Sequence, residues 1–122
     1  SDLPGIHFLK EPEGHFSNRW LSAITIDPKK SNDVTRERVR LTLDAENIES
    51  RPLWKPLHLQ PVFKYAEYYG TNVAEDLFQH GLCLPSGSNL ENKDLERIVQ
   101  IIRSVFEGVN SDDTMANMSK IA

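Results

Sequence analysis

Length, composition and charge bound what this chain can be. Its 122 residues suit one domain with a modest hydrophobic core. The formal net charge is −4 and no Lys/Arg-rich block is present, which argues against a nucleic-acid surface built on bulk charge. No apolar run reaches the roughly 20 residues that span a bilayer, and the N-terminus lacks the features of a signal peptide. The lone Cys83 excludes an internal disulfide, and its two leucine neighbours predict a buried thiol, which fits a reducing cytoplasm.

The N-terminal part predicts a lead-in followed by a strand. Residues 1–17 are rich in Pro, Gly and His and are expected to be extended. Residues 19–26 are rich in β-formers and are followed by Asp27-Pro28, which predicts a strand that ends there. Because apolar side chains fall on both faces of this strand, we expect it to be central in its sheet.

A helix that runs to about Glu46 is expected next. Asp33 or Thr35 is placed to cap its start, and Asn47 suits the left-handed conformation that often ends a helix. Its apolar stripe is thin and rests on Val39 and Leu43. The same helix carries a cluster of arginines that is expected to face solvent: Arg36, Arg38 and Arg40.

The proline-rich segment, residues 47–61, is the most informative part of the chain. Pro52, Pro56 and Pro61 exclude a regular helix and push the residue before each towards extended backbone. We therefore expect a short strand that runs into a stiff loop. The loop carries side chains that suit a charged, flat ligand such as a nucleotide or a phosphorylated cofactor: Arg51, Trp54, Lys55 and His58. The structural alternative is a surface loop whose Trp covers the core.

One helix and one buried strand are expected after this segment. Residues 62–71 predict a loop with a helical turn. Asn72 and Glu75 resemble a capping box, which predicts a helix that ends at His80. Residues 82–85 then predict a short buried strand.

The last helix has the clearest pattern. Asn92 is placed to cap it, and residues 93–107 show apolar spacing of i, i+3, i+4 and i+7 before Gly108 ends it. Residues 109–122 are small, polar and aperiodic, and they predict a flexible tail. The domain itself is expected to span residues 18–108. Short strands with helices on one face indicate an α+β two-layer sandwich.

Familiar catalytic and cofactor motifs are missing. The chain has no Gly-x-Gly-x-x-Gly motif and no phosphate loop, and its four histidines and one cysteine lack metal-site spacing. His58 is the best single candidate for acid–base or ligand work, although a lone His is more often structural. Nothing in the sequence indicates that Lys55 or Lys64 is desolvated enough for covalent catalysis.

The run from Asn47 to Phe63, which contains Arg-Pro-Leu-Trp-Lys-Pro-Leu-His-Leu-Gln, resembles the C-terminal part of the DegT–DnrJ–StrS sugar aminotransferases. Further runs match this family in the same order, so that the resemblance covers about residues 6–107: Asn18 to Leu21, Ala74-Glu75, Gly81 to Ser88 and Asp94 to Ile98. The sequence departs from the usual residues of this family at two places. Thr71-Asn72 stands where many members have Cys-Pro, and Asn47 stands where many have Gly; both are expected to keep a helix cap.

The resemblance implies part of a fold-type I, pyridoxal phosphate-dependent enzyme. Such enzymes typically pass an amino group from glutamate to a nucleotide-linked 4-keto-6-deoxy sugar. The motif points to the branch that aminates UDP-linked N-acetylhexosamines for bacterial capsule, exopolysaccharide or glycoprotein glycans. This chain corresponds to the last third, a small C-terminal domain with a mostly antiparallel sheet. The Schiff-base lysine belongs to the missing domain, so the fragment is expected to be inactive and to bind no coenzyme.

By the same resemblance, the loop from Arg51 to His58 faces the cleft that holds the nucleotide sugar. Arg51 and Lys55 are expected to neutralise diphosphate or a carboxylate, and Trp54 to stack on a ring. His58 is expected to hydrogen-bond the sugar or the phosphates. Residues that lead into the first strand are expected to line the same cleft: His15, Ser17, Asn18 and Arg19. No residue is given a catalytic or metal-binding role.

The resemblance also bears on assembly. The full-length enzyme is expected to be a homodimer with neither nucleic acid nor membrane as a partner, and the fragment to expose an apolar patch where the missing domain docks. The alternative from another class is a free-standing α/β binding module with no enzymatic parent. A reading frame that continues upstream into a large α/β domain with a lysine motif would separate the two.

Overall fold

The computed structural model describes residues 2–18 and 20–118, with side chains up to Gly108. Within these residues the strands are β1 (Ile6–Phe8), β2 (Ser22–Ile26), β3 (Arg51–Pro52) and β4 (Gly81–Leu84). The helices are α1 (Arg36–Ala45), α2 (Val73–His80) and α3 (Asn92–Met118). Two single turns of 3₁₀-helix lie between β3 and α2, at Leu57–Leu59 and Pro61–Phe63.

The four strands form one antiparallel sheet in the order β1-β2-β4-β3. The predicted strand at residues 19–26 is confirmed as central, although it begins only at Ser22. β1 lies inside the expected lead-in and pairs with β2, with Ile6 opposite Ile26. Its three residues are too few to show a period, so the sequence pattern does not reveal it.

One face of the sheet forms the hydrophobic core. Side chains alternate between the two faces of a strand, so Ile24 and Ile26 of β2 lie on the same face as Leu82 of β4, which is opposite Ile24. All three are buried, and each contributes on the order of 2 kcal/mol to folding. They pack with side chains of α1 and α3: Val39, Leu43, Ile98, Ile102, Val105 and Phe106. The expected α+β class, with a small antiparallel sheet covered by helices, is confirmed.

Helix α1 is capped as its sequence predicts. Thr35, rather than Asp33, is the N-cap, and its Oγ1 accepts a hydrogen bond from the Arg38 backbone N–H at 3.1 Å. Asn47 has φ of 57°, which confirms the left-handed end. The N–H of Ile48 donates to the carbonyl of Leu43 at 2.9 Å, and Ile48 itself is buried, which completes a Schellman motif.

Among the α1 arginines, Arg40 is only 26% exposed, and the prediction that all of them face solvent is wrong for Arg36. Its side chain is 16% exposed, and its guanidinium lies 5.3 Å from the ring centroid of Phe78 on α2. Its Nε also donates to the carbonyl oxygen of Gln79 at 2.8 Å. Arg36 therefore ties α1 to the last turn of α2, which a helical wheel of α1 alone does not show.

The capping box expected at α2 and the cap expected at α3 are wrong, although Asn72 does occupy the N-cap position of α2. The side chain of Asn72 makes no cap hydrogen bond, and Glu75 points to His58 instead of back to residue 72. At α3 the carbonyl of Glu91 accepts from Leu95, and Asp94 Oδ2 accepts from the Glu91 N–H at 2.9 Å. Glu91, not Asn92, is thus the N-cap.

Helix α3 continues through Gly108 to Met118, beyond the end that the sequence predicts. A glycine inside a helix costs only about 1 kcal/mol relative to alanine, so it does not by itself end one. The flexibility expected for residues 109–122 stays a prediction, and residues 119–122 lie outside the described part of the chain. None of the helices, as far as they are described, has the length and apolar character needed to cross a membrane.

Candidate functional site

An open groove on the sheet face away from the core brings together two of the predicted ligand-contacting residues. Arg51 pairs with Cys83, and Cys83 pairs with Ala23, so these three residues share the face opposite Ile24 and Leu82. We call this the tryptophan groove. It has a volume of about 380 Å³, and its walls include Trp20, Arg51, Trp54, Cys83 and Ser86.

Two tryptophans form one wall of this groove. The ring centroids of Trp20 and Trp54 are 6.3 Å apart with 38° between their planes. Each is about two-thirds exposed, at 70% and 67%, which is unusual for the largest apolar side chain. Such a pair presents an aromatic surface to whatever enters the groove. The alternative in which Trp54 covers the core is therefore wrong.

Trp20 is a candidate site residue that sequence reasoning missed. It was assigned only to the predicted strand, yet it lies just before β2 and faces Trp54. Their proximity depends on β4 lying between β2 and β3, a pairing that no local pattern encodes. The one available signal was that the chain has two tryptophans and that both neighbour basic residues, Arg19 and Lys55.

Arg51 supplies the positive charge of the groove. Its side chain is 77% exposed and its Nε and Nη2 atoms donate to Oε1 of Glu49 at 2.8 and 2.5 Å. An ion pair this exposed contributes at most about 1 kcal/mol. A bound phosphate or carboxylate can therefore replace Glu49 at little cost, because Arg offers the same planar fork to either acceptor.

The floor of the groove is built by β4 and the turn after it. Ser86 Oγ accepts from the Ser22 N–H at 2.7 Å and donates to the Leu84 carbonyl at 2.8 Å, so this hydroxyl is committed to the backbone. The predicted burial of Cys83 is confirmed at 7% exposure. Burial raises the pKa of its thiol above the ordinary value, which keeps it protonated and unreactive at neutral pH.

Lys55 and His58 lie outside the walls of the tryptophan groove. Lys55 is exposed, and its backbone carbonyl accepts from Gln60 Nε2 at 3.4 Å. His58 points towards α2, where its Nε2 lies 2.8 Å from Glu75 Oε1, and its side chain is only 17% exposed. After β3 the proline-rich segment runs without regular structure to Pro56 and then forms two 3₁₀ turns.

Three candidate ligand residues that precede β2 are described by the structure. Two of them line a second groove, and the third bonds to the backbone beside the tryptophan groove. His15 and Ser17 line an N-terminal groove of about 490 Å³, and Leu21 lines both grooves, so the two adjoin. His15 Nδ1 donates to the Glu13 carbonyl at 3.1 Å, and Asn18 Oδ1 accepts from the Trp20 N–H at 3.1 Å. Arg19 lies outside the described residues.

Exposed apolar side chains surround the N-terminal groove. Phe8, Leu9 and Phe16 all line it and are 55%, 88% and 91% exposed. These three side chains form an exposed apolar surface around the N-terminal groove, which adjoins the tryptophan groove at Leu21. Phe8 is opposite Ile24, so it lies on the core side of the sheet. Surfaces of this kind mark interaction sites.

The described residues do not fit a pyridoxal phosphate anchor or a metal centre. All six described lysines are exposed, whereas an anchoring lysine must sit in a water-poor cleft: Lys10, Lys29, Lys30, Lys55, Lys64 and Lys93. No three His, Cys, Asp or Glu side chains converge on a metal-sized site within residues 2–18 and 20–108.

The fold recurs as part of a larger protein. A crystal structure of DesI, determined in the presence of its TDP-sugar product, superposes with a TM-score of 0.77 over 95% of this chain and 30% of DesI, at 22% identity. At that identity the likeness establishes the fold alone, which is the α+β class described above.

Sequence comparison narrows the class to a family. Residues 1–103 match the DegT/DnrJ/EryC1/StrS aminotransferase family, and the chain belongs to it. EpsN of Bacillus subtilis strain 168, which carries the name of a pyridoxal phosphate-dependent aminotransferase, is 41% identical over 88% of this chain and 28% of its own length. The GDP-perosamine synthase of Vibrio cholerae is 30% identical over 87% of this chain and 29% of its own length.

Two consequences follow from these comparisons. The family resemblance of the proline-rich segment is confirmed. The chain spans less than a third of the length of these relatives, so the reaction of a full-length protein rests on more residues than those seen here.

Proposed function

We propose that this chain is the small C-terminal domain of a pyridoxal phosphate-dependent sugar aminotransferase. The full-length enzyme passes an amino group from glutamate to a UDP-linked 4-keto-6-deoxy sugar for bacterial surface polysaccharide or glycan synthesis. Family membership supports the transaminase assignment. The names of relatives support a nucleotide sugar, since one is a GDP-perosamine synthase and DesI was solved with a TDP-sugar.

The tryptophan groove is the observation that carries this proposal. It places a pair of exposed indole rings beside an exposed guanidinium whose existing ion pair is weak. A nucleotide sugar offers a flat base, two sugar rings and a diphosphate. Aromatic rings stack on the base or a sugar, and Arg binds diphosphate through two parallel N–H bonds.

Each predicted contact residue has a role in this proposal. Trp54 and Trp20 stack on a ring of the ligand, and Arg51 binds the diphosphate. Lys55, exposed at the next position, adds a point charge. His15, Ser17, Asn18 and Arg19 extend the ligand surface towards the N-terminal groove. His58 contributes through its free ring edge, because its Nε2 is occupied by Glu75.

The coenzyme belongs to another part of the full-length protein. When bound there, pyridoxal phosphate supplies the electron sink for transamination. The chain itself contributes the ligand-facing wall and the apolar surface around the N-terminal groove, on which the coenzyme-binding domain packs. We further propose a homodimeric full-length enzyme, and we assign it to the cytoplasm because Cys83 is a free thiol.

The quenching of tryptophan fluorescence tests the ligand class. The chain is titrated with UDP-N-acetylglucosamine, UDP and GDP-mannose up to about 10 mM, which detects even millimolar affinity. We expect saturable quenching that is strongest for the UDP sugar. Trp54→Ala should weaken binding about 5- to 150-fold, since stacking on an aromatic side chain contributes about 1–3 kcal/mol, and Trp20 remains as the reporter.

Tyr69→Ala is the matched control, because Tyr69 is 85% exposed and lies outside the groove. It should leave the affinity unchanged. Equal effects of Trp54→Ala and Tyr69→Ala, or no quenching of the unchanged chain by any of the three compounds, would contradict the ligand assignment.

Borohydride reduction after mixing with pyridoxal phosphate tests the division of labour. Since all six described lysines are exposed, we expect slow and indiscriminate labelling. Stoichiometric labelling of one lysine would contradict the proposal. The free-standing binding module, the alternative function, would gain if the genomic reading frame carried no large α/β domain with a lysine motif upstream.

A further inference from the structure

His58 is a candidate ligand residue whose Nε2 atom the fold directs towards α2 and away from the walls of the tryptophan groove. The rest of the segment's aromatic and basic surface is exposed, whereas His58 is turned against α2 with 17% of its side chain exposed. Its partner there is Glu75, which belongs to the Ala74-Glu75 motif and has no role in the proposed function. The pattern of the sequence predicted that Glu75 caps its own helix, and the structure shows that it does not.

Two contacts hold the His58 ring. Its Nε2 lies 2.8 Å from Glu75 Oε1, and its ring stacks on Tyr68 with centroids 3.8 Å apart and 24° between the planes. A carboxylate only accepts hydrogen bonds, so Nε2 carries the hydrogen. Tyr68 is itself fixed, because its hydroxyl donates to the Thr71 carbonyl at 2.6 Å.

These contacts join the proline-rich segment to α2. His58 lies in the 3₁₀ turn Leu57–Leu59, which begins immediately after the stretch that carries Trp54 and Lys55. The turn has little support of its own, since it contains no buried residue and rests on two backbone bonds, from Leu59 and Gln60. The side chains of Glu75 and Tyr68 hold the His58 ring and so add tertiary contacts to this weakly supported turn.

We infer that Glu75 is a positioning residue: with Tyr68 it clamps His58, sets the ring's tautomer and thereby holds the proline-rich segment so that Trp54 keeps its place in the tryptophan groove. Glu75 and Tyr68 act on the ligand by fixing the geometry of the segment, and neither of them touches the ligand. The structural part stands on the contacts alone, and the consequence for binding rests on the proposed function.

Nuclear magnetic resonance of the chain tests the clamp directly. Long-range ¹H–¹⁵N correlation of the His58 ring should show hydrogen on Nε2 in the unchanged chain. Glu75→Ala should shift this pattern towards a mixture of tautomers and speed hydrogen exchange of the Leu59 and Gln60 amides at least tenfold. Glu75→Gln keeps an acceptor oxygen and should restore both readouts.

Asp76→Ala is the matched control. Asp76 is the next residue on α2 and also pairs with a histidine, since its Oδ1 lies 3.1 Å from Nδ1 of His80. Among the described residues, no hydrogen bond or ion pair joins Asp76 to the segment. It should leave the His58 ring pattern and both amides unchanged. If Asp76→Ala alters the ring pattern and the amide exchange as much as Glu75→Ala does, the changes come from unfolding of α2, and the inference is wrong.

Tyr68→Leu provides a second variant that does not endanger the fold, because Tyr68 is 45% exposed. It removes the stacking while Glu75 stays, and it should speed exchange of the two amides at least threefold. Unchanged exchange in both Glu75→Ala and Tyr68→Leu overturns the clamp, and so does a Glu75→Ala chain that fails to fold while Tyr68→Leu has no effect.

Titration with UDP-N-acetylglucosamine separates the clamp from the proposed function. Glu75→Ala should weaken binding at least fivefold, and Glu75→Gln and Asp76→Ala should bind as the unchanged chain does. If the unchanged chain binds no UDP sugar, the proposed function fails, while the ring pattern and amide exchange still decide the clamp. Full affinity in a Glu75→Ala chain with faster exchange overturns the link between the segment and the groove.

Discussion

Arg51 and Glu49 give the most direct residue-level test of charge in the tryptophan groove. Glu49 occupies the guanidinium that we assign to the diphosphate, so the carboxylate competes with the ligand. Glu49→Ala should therefore tighten binding of UDP-N-acetylglucosamine about two- to fivefold, because an exposed ion pair holds at most about 1 kcal/mol. Arg51→Ala should weaken it at least tenfold, since charged hydrogen bonds contribute about 1.5–3 kcal/mol. Isothermal titration calorimetry measures both changes.

Arg51→Lys separates charge from shape in the same assay. Lys keeps the charge but lacks the planar fork, so it should restore only part of the lost affinity. Glu91→Ala is the matched control, because Glu91 also forms an exposed ion pair, with Lys93, outside the groove. Weaker binding by the Glu49→Ala chain would contradict the claim that Glu49 competes with the ligand for Arg51, and it would place the ligand elsewhere.

At the residue scale, the sequence predicted which side chains suit a ligand better than it predicted which residues contact each other. Arg51, Trp54 and Lys55 are exposed, as residues proposed to contact a ligand must be. Trp20 could not be assigned to the groove, because it reaches Trp54 only through the pairing of three strands. The sequence pattern predicted that Glu75 caps its own helix, because such patterns use only residues close in sequence. In the structure, Glu75 accepts a hydrogen bond from His58, which is 17 residues away.

At the scale of elements, the caps of α1 and α2 look alike in sequence and differ in structure. Thr35 accepts a hydrogen bond from Arg38, whereas the Asn72 side chain accepts none at its helix start. Thr35→Ala should therefore lower the free energy of unfolding by about 1 kcal/mol. Asn72→Ala should change it by less than about 0.5 kcal/mol. Urea unfolding followed by circular dichroism measures both, and equal losses would contradict the assignment.

The type of an element was predictable where its sequence has a clear apolar or β-forming pattern. The apolar spacing of α3 and the β-formers of β2 each gave the right element, since each of these elements packs apolar side chains into the same core. Boundaries and short elements were not predictable. β1 is three residues long and depends on pairing with β2, and Gly108 does not end α3 because a single glycine costs little.

At the scale of the whole molecule, surface ion pairs make the free energy of unfolding depend on pH in the acidic range. A hydrogen bond from Arg103 lowers the pKa of Asp2 below its ordinary 3.8, and this pair ties the start of the chain to α3. Hydrogen bonds from Arg40 likewise lower the pKa of Glu37 below 4.5. A lowered folded-state pKa adds stability above the unfolded-state pKa, and that stability is lost as the pH falls through the folded-state value.

We therefore expect the free energy of unfolding to fall as the pH drops from about 5 to below the folded-state pKa of Asp2 and Glu37. The double variant Asp2→Asn, Glu37→Gln should start lower at neutral pH and lose less over this range. Glu96→Gln is the control, since Glu96 has no ion pair among the described residues and should follow the unchanged chain. Urea unfolding at each pH gives the curves, and parallel curves for all three proteins would exclude this contribution.

The central claim is that a nucleotide sugar binds against the tryptophan groove. Mapping of ¹H–¹⁵N chemical shifts on the chain during titration with UDP-N-acetylglucosamine tests it most directly. We predict that the largest shifts appear at the indole N–H signals of Trp20 and Trp54, the Nε–H of Arg51 and the backbone around Ser86. Shifts concentrated elsewhere, such as on α1, or no shifts at millimolar ligand, would contradict the account.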